Sequence, residues 1–415
     1  MKCPIALHAE HLNSPAIIDS EGTLSYRQLD QRIFSLMALL TNQKLPKIAK
    51  VAFIPESNVE TIALFFALWR LQMIACPLHQ RLPEKAIEAV MQRLGASILL
   101  RPSQLSHIHE KSNQQDLELK AVATMLFTSG TTSEPKIVCH SIDNHLQNAL
   151  SAAAALNLTP KDRYLLSLPL SHVGGIAILW RTFLTGAALV ISDKQSSLKN
   201  LTHLSYVPTQ LYRLLQGPLD AIERARHFKC LLIGGAPLSS SLLKRAKEEG
   251  LNIFTSYGMT EMSSLIALNG IVLPHARVKI VEGEIFVKGE SLFQGYLKDQ
   301  TELHRPLEEG WFSTKDLGEV TDQGLKIMGR KDHLFISGGE NIQPAEIERA
   351  LLELPGIEQA IVRGHADPEF GMVGHAYLFD AGKTWDESLL RKKLNELLPS
   401  YKIPKKIFFL DEPIP

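Results

Sequence analysis

The chain has 415 residues, more than one ordinary hydrophobic core accommodates, so two or three folding units are expected. Lys plus Arg and Asp plus Glu stand at 44 each, which excludes a global basic field for nucleic acid or an anionic membrane; any anion site must be local. Apolar content of 45% and charged content of 21% describe a soluble globular protein, and the longest apolar stretch, Ile62 to Trp69, falls far short of the roughly 20 residues that span a bilayer.

From the N-terminus, Met1-Lys2-Cys3-Pro4 opens no sustained apolar run, so a secretory signal is not expected. Leu24-Ser25-Tyr26 precedes a helix with Leu29, Ile33, Leu36 and Leu40 on one face. Lys50–Ile54 reads as a strand, and Ser57 is placed to cap a helix running through Trp69. Further short apolar strands are expected at Ile74–Leu78 and Ser97–Leu100, and this alternation of strands with helices argues for a parallel α/β sheet. Ser103 to Gln115 reads as an exposed polar connection. Cys3, Cys76, Cys139 and Cys230 lie far apart with no metal spacing, and read as reduced thiols packed as small apolar groups in a cytoplasmic protein.

The apolar run Ala121–Phe127 leads directly into Thr128-Ser129-Gly130-Thr131-Thr132-Ser133-Glu134-Pro135-Lys136. A buried strand opening into a loop of hydroxyl and backbone N–H donors, with one cation at its exit, suits a polyphosphate. The spacing of Gly130 and Lys136 is not that of the GxxxxGK[ST] nucleotide loop, and taken alone the run also fits a flexible connector. Downstream, apolar segments at 165–168 and 187–191 flank Leu168-Pro169-Leu170-Ser171-His172-Val173-Gly174-Gly175, where one imidazole sits among small residues. Leu231-Leu232-Ile233 runs into Gly234-Gly235-Ala236-Pro237, a tight turn where a flat ligand can approach backbone. In Thr255–Glu261, an aromatic (Tyr257), Gly258, Thr260 and a carboxylate (Glu261) are spaced to hold a purine face and a Mg²⁺, although a capped helix start explains the same residues. From about Val278 the chain reads as short antiparallel strands, with Asp316 in a turn after Trp311-Phe312 where it can accept both hydroxyls of a ribose. Gly329-Arg330-Lys331-Asp332 interrupts that pattern, and beyond it a helix at 344–352, strands at 360–362 and 376–379, and a helix at 386–398 form an α+β unit of about 80 residues.

Together, Thr128–Lys136, Leu168–Gly175, Tyr257–Glu261, Asp316 and Gly329–Glu340 resemble the adenylate-forming enzymes: acyl-CoA synthetases, luciferases and nonribosomal adenylation domains. The resemblance covers nearly the whole chain in the family's order. Within the family it narrows to the o-succinylbenzoate–CoA ligases of menaquinone biosynthesis, through Leu168–Gly175, Leu179-Trp180-Arg181, Val207–Arg213 and Ile336–Ile342, the last also shared with aryl-CoA ligases.

The resemblance implies a large N-terminal adenylation domain (1–329) of parallel α/β subdomains plus a small β-barrel-like part, a hinge at 330–332, and a small mobile α+β C-terminal domain (333–415). It implies a two-step ligase that uses ATP, Mg²⁺ and CoA as co-substrate on a small carboxylic acid, without nucleic acid or membrane insertion, and it is compatible with a homo-oligomer. Thr131, Lys136, His172 and Glu261 are the residues it puts in catalysis, Glu261 also as the metal ligand. Thr128, Ser129, Gly130 and Thr132 would clasp phosphates with Lys136; Gly235, Ala236, Pro237, Tyr257, Gly258 and Thr260 would surround the nucleotide. Asp316 and Arg330 would take the ribose hydroxyls, Asp332 would be the hinge, and Gly338 and Gly339 would face the pantetheine channel. A second carboxylate on the acid calls for a cation or polar donors, for which Arg181, Thr209, Arg213, Ser263 and Ser264 are candidates.

Three departures from the family pattern stand out. Ser133 and Ile137 occupy positions where the phosphate loop usually has glycine, and Ser171 replaces a common aromatic before His172. The family's adenylation lysine follows a stretch like Phe408–Pro413, whereas this sequence stops at Pro415; Lys402, Lys405 and Lys406 come too early to match it. The expectation is either a natural chain that extends further or an acyl-adenylate-binding protein impaired in adenylation, with another aryl- or acyl-CoA ligase as the remaining alternative.

Overall fold

Local sequence chemistry sets the first layer of structure. The structure, a computed structural model, describes residues 1–10, 14–46, 48–96, 98–105, 116–128, 135–191, 200–380, 382, 384–412 and 414. The helix Tyr26–Asn42 starts at Ser25, whose hydroxyl accepts from the Gln28 N–H while the Gln28 side chain reciprocates, and it buries the expected Leu29, Ile33, Leu36 and Leu40. The next helix, Val59–Arg70, is capped by Asn58, which accepts from the Thr61 N–H, and not by Ser57. An amide oxygen caps as well as a hydroxyl, so both adjacent residues were eligible and the backbone chose the later one. Ten of its twelve residues are buried, which is why its apolar run has no polar face.

Among the described residues, these elements assemble into two large mixed sheets. Seven strands run Leu303–His304, Gly295–Leu297, Lys136–Ser141, Val122–Thr128, Ile74–Pro77, Lys50–Phe53 and Ile98–Leu100. The Lys50–Phe53 strand pairs in parallel with both its neighbours and Ile74–Pro77 in parallel with Val122–Thr128, as the alternating pattern predicts. From Val122–Thr128 onward the pairing becomes antiparallel: this strand folds back on Lys136–Ser141, which pairs with Gly295–Leu297. Nine strands form the other sheet, with a parallel run from Cys230–Ile233 through His203–Tyr206, Arg163–Leu165 and Ala188–Val190 to Pro15–Ile18, and antiparallel pairs at both ends. The helices buried against these sheets bring together Phe65, Phe66, Trp69, Trp180 and Phe183, with ring centroids 5.0–6.1 Å apart. The Trp69 indole N–H finds the Ala123 carbonyl at 3.1 Å, so this large side chain is buried without an orphaned donor.

The chain divides into two compact units, one of Met1–Gly235, Phe254–Arg277 and Lys288–Leu307, the other of Ala236–Ile253, Val278–Val287 and Glu308–Pro415. In the second unit, Trp311–Thr321 and Gly324–Arg330 form an antiparallel hairpin; the charged stretch at 330–332 therefore begins inside a strand, and a 3-10 turn follows at Lys331–His333. The expected short strands at 360–362 and 376–379 lie within a longer hairpin, Ile357–Asp367 against Gly371–Asp380, covered by the helices Pro344–Leu352 and Glu387–Leu397. All four cysteines are buried free thiols. Among the described residues no helix is long and apolar enough to cross a membrane.

Candidate active site

The hairpin at the Ser/Thr/Gly run fixes where its closing cation goes. Thr128 and Lys136 are cross-strand partners, so the strand leads into the loop at Thr128 and receives the chain back at Lys136. Ser129, Gly130, Thr131 and Thr132, with Ser133, lie outside the described residues. Ile137, one of the departures noted above, is buried in the core beneath the hairpin. Tyr296 stands opposite Val138 on the neighbouring strand, and Lys136, two residues from Val138, shares its face of the sheet. The exposed Lys136 ammonium accordingly lies 4.8 Å from the centroid of the Tyr296 ring.

The hydroxyl of the same tyrosine donates to Glu261 Oε1 over 2.6 Å. Glu261 sits in the 3-10 turn Thr260–Met262, at the end of the strand Ile253–Met259 and not at a helix start. Three neighbours hold this turn. His140 Nε2 donates to the Thr260 carbonyl at 2.7 Å, the Phe293 N–H donates to the Glu261 carbonyl at 2.8 Å, and Asn148 Nδ2 donates to the carbonyls of Met262 and Leu265. Burial pushes the His140 pKa down to about 4, and that of His145, whose ring centroid is 4.9 Å away, well below the usual range. Both imidazoles are therefore neutral, and since a carbonyl only accepts, the His140 proton is on Nε2.

The backbone after the turn is strained. Ser263 has φ 55° and Ser264 φ 115°, unusual values for residues with a side chain. Ser263 is buried with an unpartnered hydroxyl among the described residues. Gly258 makes this geometry possible: a Cβ there would stand 2.1 Å from the Ser264 carbonyl oxygen. Tyr257 precedes it in the strand, half-buried; Gly235 adopts φ 81° after Cys230–Ile233, and Ala236 and Pro237 are exposed just beyond.

His172 stands exposed just before the helix Val173–Leu184, its N–H bonded to the Pro169 carbonyl, with the His79 ring edge-on at 5.6 Å. Partial enclosure of the ring, and then His79, lower its pKa. Arg181, on the same helix, is fully buried: its Nε donates to the Ala177 carbonyl and its Nη1 to the Tyr164 hydroxyl at 3.3 Å, so its charge is spent on the core. Arg213 is exposed and Thr209 half-buried on the helix Pro208–Leu215.

In the second unit, Asp316 and Arg330 are cross-strand partners and pair at 3.1 Å. The Arg330 guanidinium is shared: Nε and Nη2 each reach an oxygen of Asp332 at 2.8 Å, and this fork holds the Asp332 carboxyl below its ordinary pKa. Glu284 lies nearby. Burial opposes its ionisation, but hydrogen bonds from Lys331 and Ser313, with the charges of Lys315 and Lys331, lower its pKa on balance. Gly338 and Gly339, with φ 56° and 89°, make the two-residue turn between Phe335–Ser337 and Glu340–Ile342, a geometry reserved almost entirely for glycine and asparagine.

The donor set around Glu261 suits one cation type. Among the described residues no group of three or more His, Cys, Asp or Glu side chains gathers as a metal cage. A single carboxylate, with one oxygen hydrogen-bonded and the other unengaged by Tyr296, fits Mg²⁺, which keeps waters and substrate phosphates as most of its ligands. Tyr296, His140 and Asn148 carried no motif that singled them out; Gly295-Tyr296, one residue after the apolar pair Leu292-Phe293, was the one local sign of a close-packed aromatic.

The sequence matches the family of AMP-binding enzymes over residues 6–297 and the C-terminal domain of AMP-binding enzymes over residues 346–415. The chain belongs to the AMP-binding enzymes. Among its relatives is a 2-succinylbenzoate–CoA ligase of Salmonella typhimurium, 33% identical over 379 residues that cover 86% of this chain and 82% of the relative. A 2-succinylbenzoate–CoA ligase of Bacillus cereus is 29% identical over 96% of this chain and 92% of the relative. Solved structures of the o-succinylbenzoate CoA synthetase MenE of Bacillus subtilis superpose closely on this AMP-binding enzyme. The complex with the acyl-adenylate intermediate OSB-AMP has a TM-score of 0.87 at 27% identity, covering 99% of this chain and 95% of that one. The complex with ATP and magnesium ion has a TM-score of 0.86 at 27% identity, covering 99% and 96%.

Proposed function

We propose that this AMP-binding enzyme is an AMP-forming acid–thiol ligase that adenylates 2-succinylbenzoate with ATP and passes the acyl group to CoA. In the first step a carboxylate oxygen of the acid attacks the α-phosphorus of ATP and the bond to pyrophosphate breaks. In the second, the CoA sulfur attacks the acyl carbon, AMP leaves with the bridging oxygen, and the thiol proton is lost to solvent or a base. The relatives' activity and the solved acyl-adenylate complex support the choice of acid.

The observation that carries the reading is the joining of Lys136 to Glu261 through Tyr296 at the foot of the Ser/Thr/Gly loop. A cation over the ring of one tyrosine and a metal-ready carboxylate at its hydroxyl are placed in advance for a polyphosphate, so charge developing in the transition state needs little reorganisation. Glu261 would hold Mg²⁺, which when bound neutralises phosphate oxygens and withdraws charge from the α-phosphorus. Thr128 to Lys136 are assigned to the β- and γ-phosphates, and Gly235, Ala236, Pro237 and Tyr257 to the adenine. In the second unit Asp316 and Arg330 are assigned to the ribose hydroxyls, Asp332 to the hinge, and Gly338 and Gly339 to the pantetheine. His172 is assigned to the acyl site. For the acid's second carboxylate, Ser263 and Ser264 are favoured over Arg181, whose guanidinium is already engaged inside the core. A cytoplasmic location belongs to the same reading, since ATP and CoA are the co-substrates and the buried thiols are free.

The test is to incubate the protein with ATP, Mg²⁺, CoA and a panel of carboxylic acids and to identify the thioester by mass. 2-Succinylbenzoyl-CoA as the dominant product is the expected result. A different acyl-CoA would replace the substrate assignment, and no thioester from any acid, even from chemically made acyl-adenylate, would overturn the ligase assignment.

A further inference from the structure

The Tyr296 side chain does two separate things at once. Its hydroxyl donates to Glu261 Oε1 at 2.6 Å, and its ring faces the Lys136 ammonium at 4.8 Å. The side chain is held for this task. Its strand, Gly295–Leu297, is paired on both sides, to Lys136–Ser141 and to Leu303–His304, and Phe293 packs edge-on against its ring at 4.8 Å. The Phe293 N–H meanwhile holds the Glu261 carbonyl, so one short segment fixes the backbone and the carboxylate of Glu261 together.

Both contacts suit a site that waits for a metal–polyphosphate. A phenol bonded to one carboxylate oxygen is a charge-assisted hydrogen bond that sets the plane of the carboxylate while leaving lone pairs for a hard cation. Among the described residues no carboxylate pairs with Lys136; the ammonium rests on an aromatic face. An aromatic face holds a cation more weakly than a carboxylate does, so incoming phosphate oxygens compete easily for it. A direct Lys136–Glu261 ion pair would instead neutralise both groups and have to be broken at each turnover.

We propose that Tyr296 is a positioning residue for the adenylation step, orienting the Glu261 carboxylate for Mg²⁺ and holding the Lys136 ammonium ready for the phosphates. The proposal rests on the assignment of Glu261 to the metal, and the test is arranged to separate the two.

Tyr296→Phe keeps the ring and removes the hydroxyl, while Tyr296→Leu removes both contacts. Calorimetry measures ATP binding with and without Mg²⁺, and a separate assay measures thioester formation from chemically made acyl-adenylate and CoA. Tyr296→Phe is expected to lower the Mg²⁺-dependent gain in ATP affinity by about tenfold, as loss of an outer hydrogen bond to a ligating carboxylate does, with Mg²⁺-free ATP binding and the CoA step changed by less than about twofold. Tyr296→Leu is expected also to weaken Mg²⁺-free ATP binding. If Glu261→Gln lowers the Mg²⁺-dependent gain and Tyr296→Phe does not, the Tyr296 proposal is overturned and the Glu261 assignment stands. If neither variant changes it, both fall. An equal loss in all three measurements for Tyr296→Phe would mark a general loosening of the fold and also overturn the proposal.

Discussion

His140 Nε2 donates to the Thr260 carbonyl oxygen across 2.7 Å, from inside the core to the first residue of the turn that carries Glu261. A buried neutral imidazole is thus part of the support beneath the candidate metal ligand. Next to it His145 bonds Thr124 and stacks against Trp180.

This pair makes stability depend on pH. In the unfolded chain each imidazole titrates near 6.5, whereas in the folded chain burial holds His140 at about 4 and His145 well below its usual value. Between those values the unfolded state binds protons that the native state refuses, so stability is highest above pH 6.5 and falls as pH drops toward 4. Each imidazole contributes about 1.4 kcal/mol per pH unit in that window. Urea denaturation at a series of pH values is expected to show this slope, and His140→Gln, which keeps a donor for Thr260 but cannot titrate, is expected to reduce it.

Glu261→Gln removes the charge that would hold Mg²⁺ but keeps the shape of the side chain. Adenylation, followed as pyrophosphate release, is expected to fall by about 10²–10³. Thioester formation from chemically made acyl-adenylate should be nearly unchanged. An equal fall in both steps would place Glu261 in the fold's support and not at the phosphates.

Gly258→Ala tests the strained turn by sterics alone. The added methyl would meet the Ser264 carbonyl oxygen at 2.1 Å, so backbone must move. A displacement of about 1 Å at Glu261 is expected to lower adenylation by about 10²-fold even where the protein remains folded by circular dichroism.

Arg330→Lys keeps the charge but loses the planar fork that reaches Asp316 and Asp332 together. The KM for ATP is expected to rise about tenfold, the scale of one charged hydrogen bond, with little change in thermal midpoint. A large fall in midpoint with unchanged KM would make Arg330 a purely structural link.

Much of this was legible in the sequence because it depends on local pattern. The buried face of Tyr26–Asn42, the strand before Thr128 and the helix at Pro344–Leu352 follow from apolar spacing. What escaped depends on which strands lie side by side. Tyr296 meets Lys136 and Glu261 only because a strand far along the chain pairs with the hairpin, and no spacing announces that. Arg181 looked like an anion site by residue type, yet its helix is buried nearly all round, so its guanidinium turned to a backbone carbonyl and a tyrosine. The cap at Asn58 in place of Ser57 shows the finer limit: two eligible residues in a row leave the boundary to tertiary packing.

The most direct measurement is 2-succinylbenzoate-dependent exchange of labelled pyrophosphate into ATP, run on the wild-type chain with Glu261→Gln and Lys136→Met in parallel. Exchange that requires both Mg²⁺ and the acid, and that falls by at least about 10²-fold in each variant, is the predicted result. Exchange that is just as fast in either variant would contradict the assignment of Lys136 and Glu261 to the activating step.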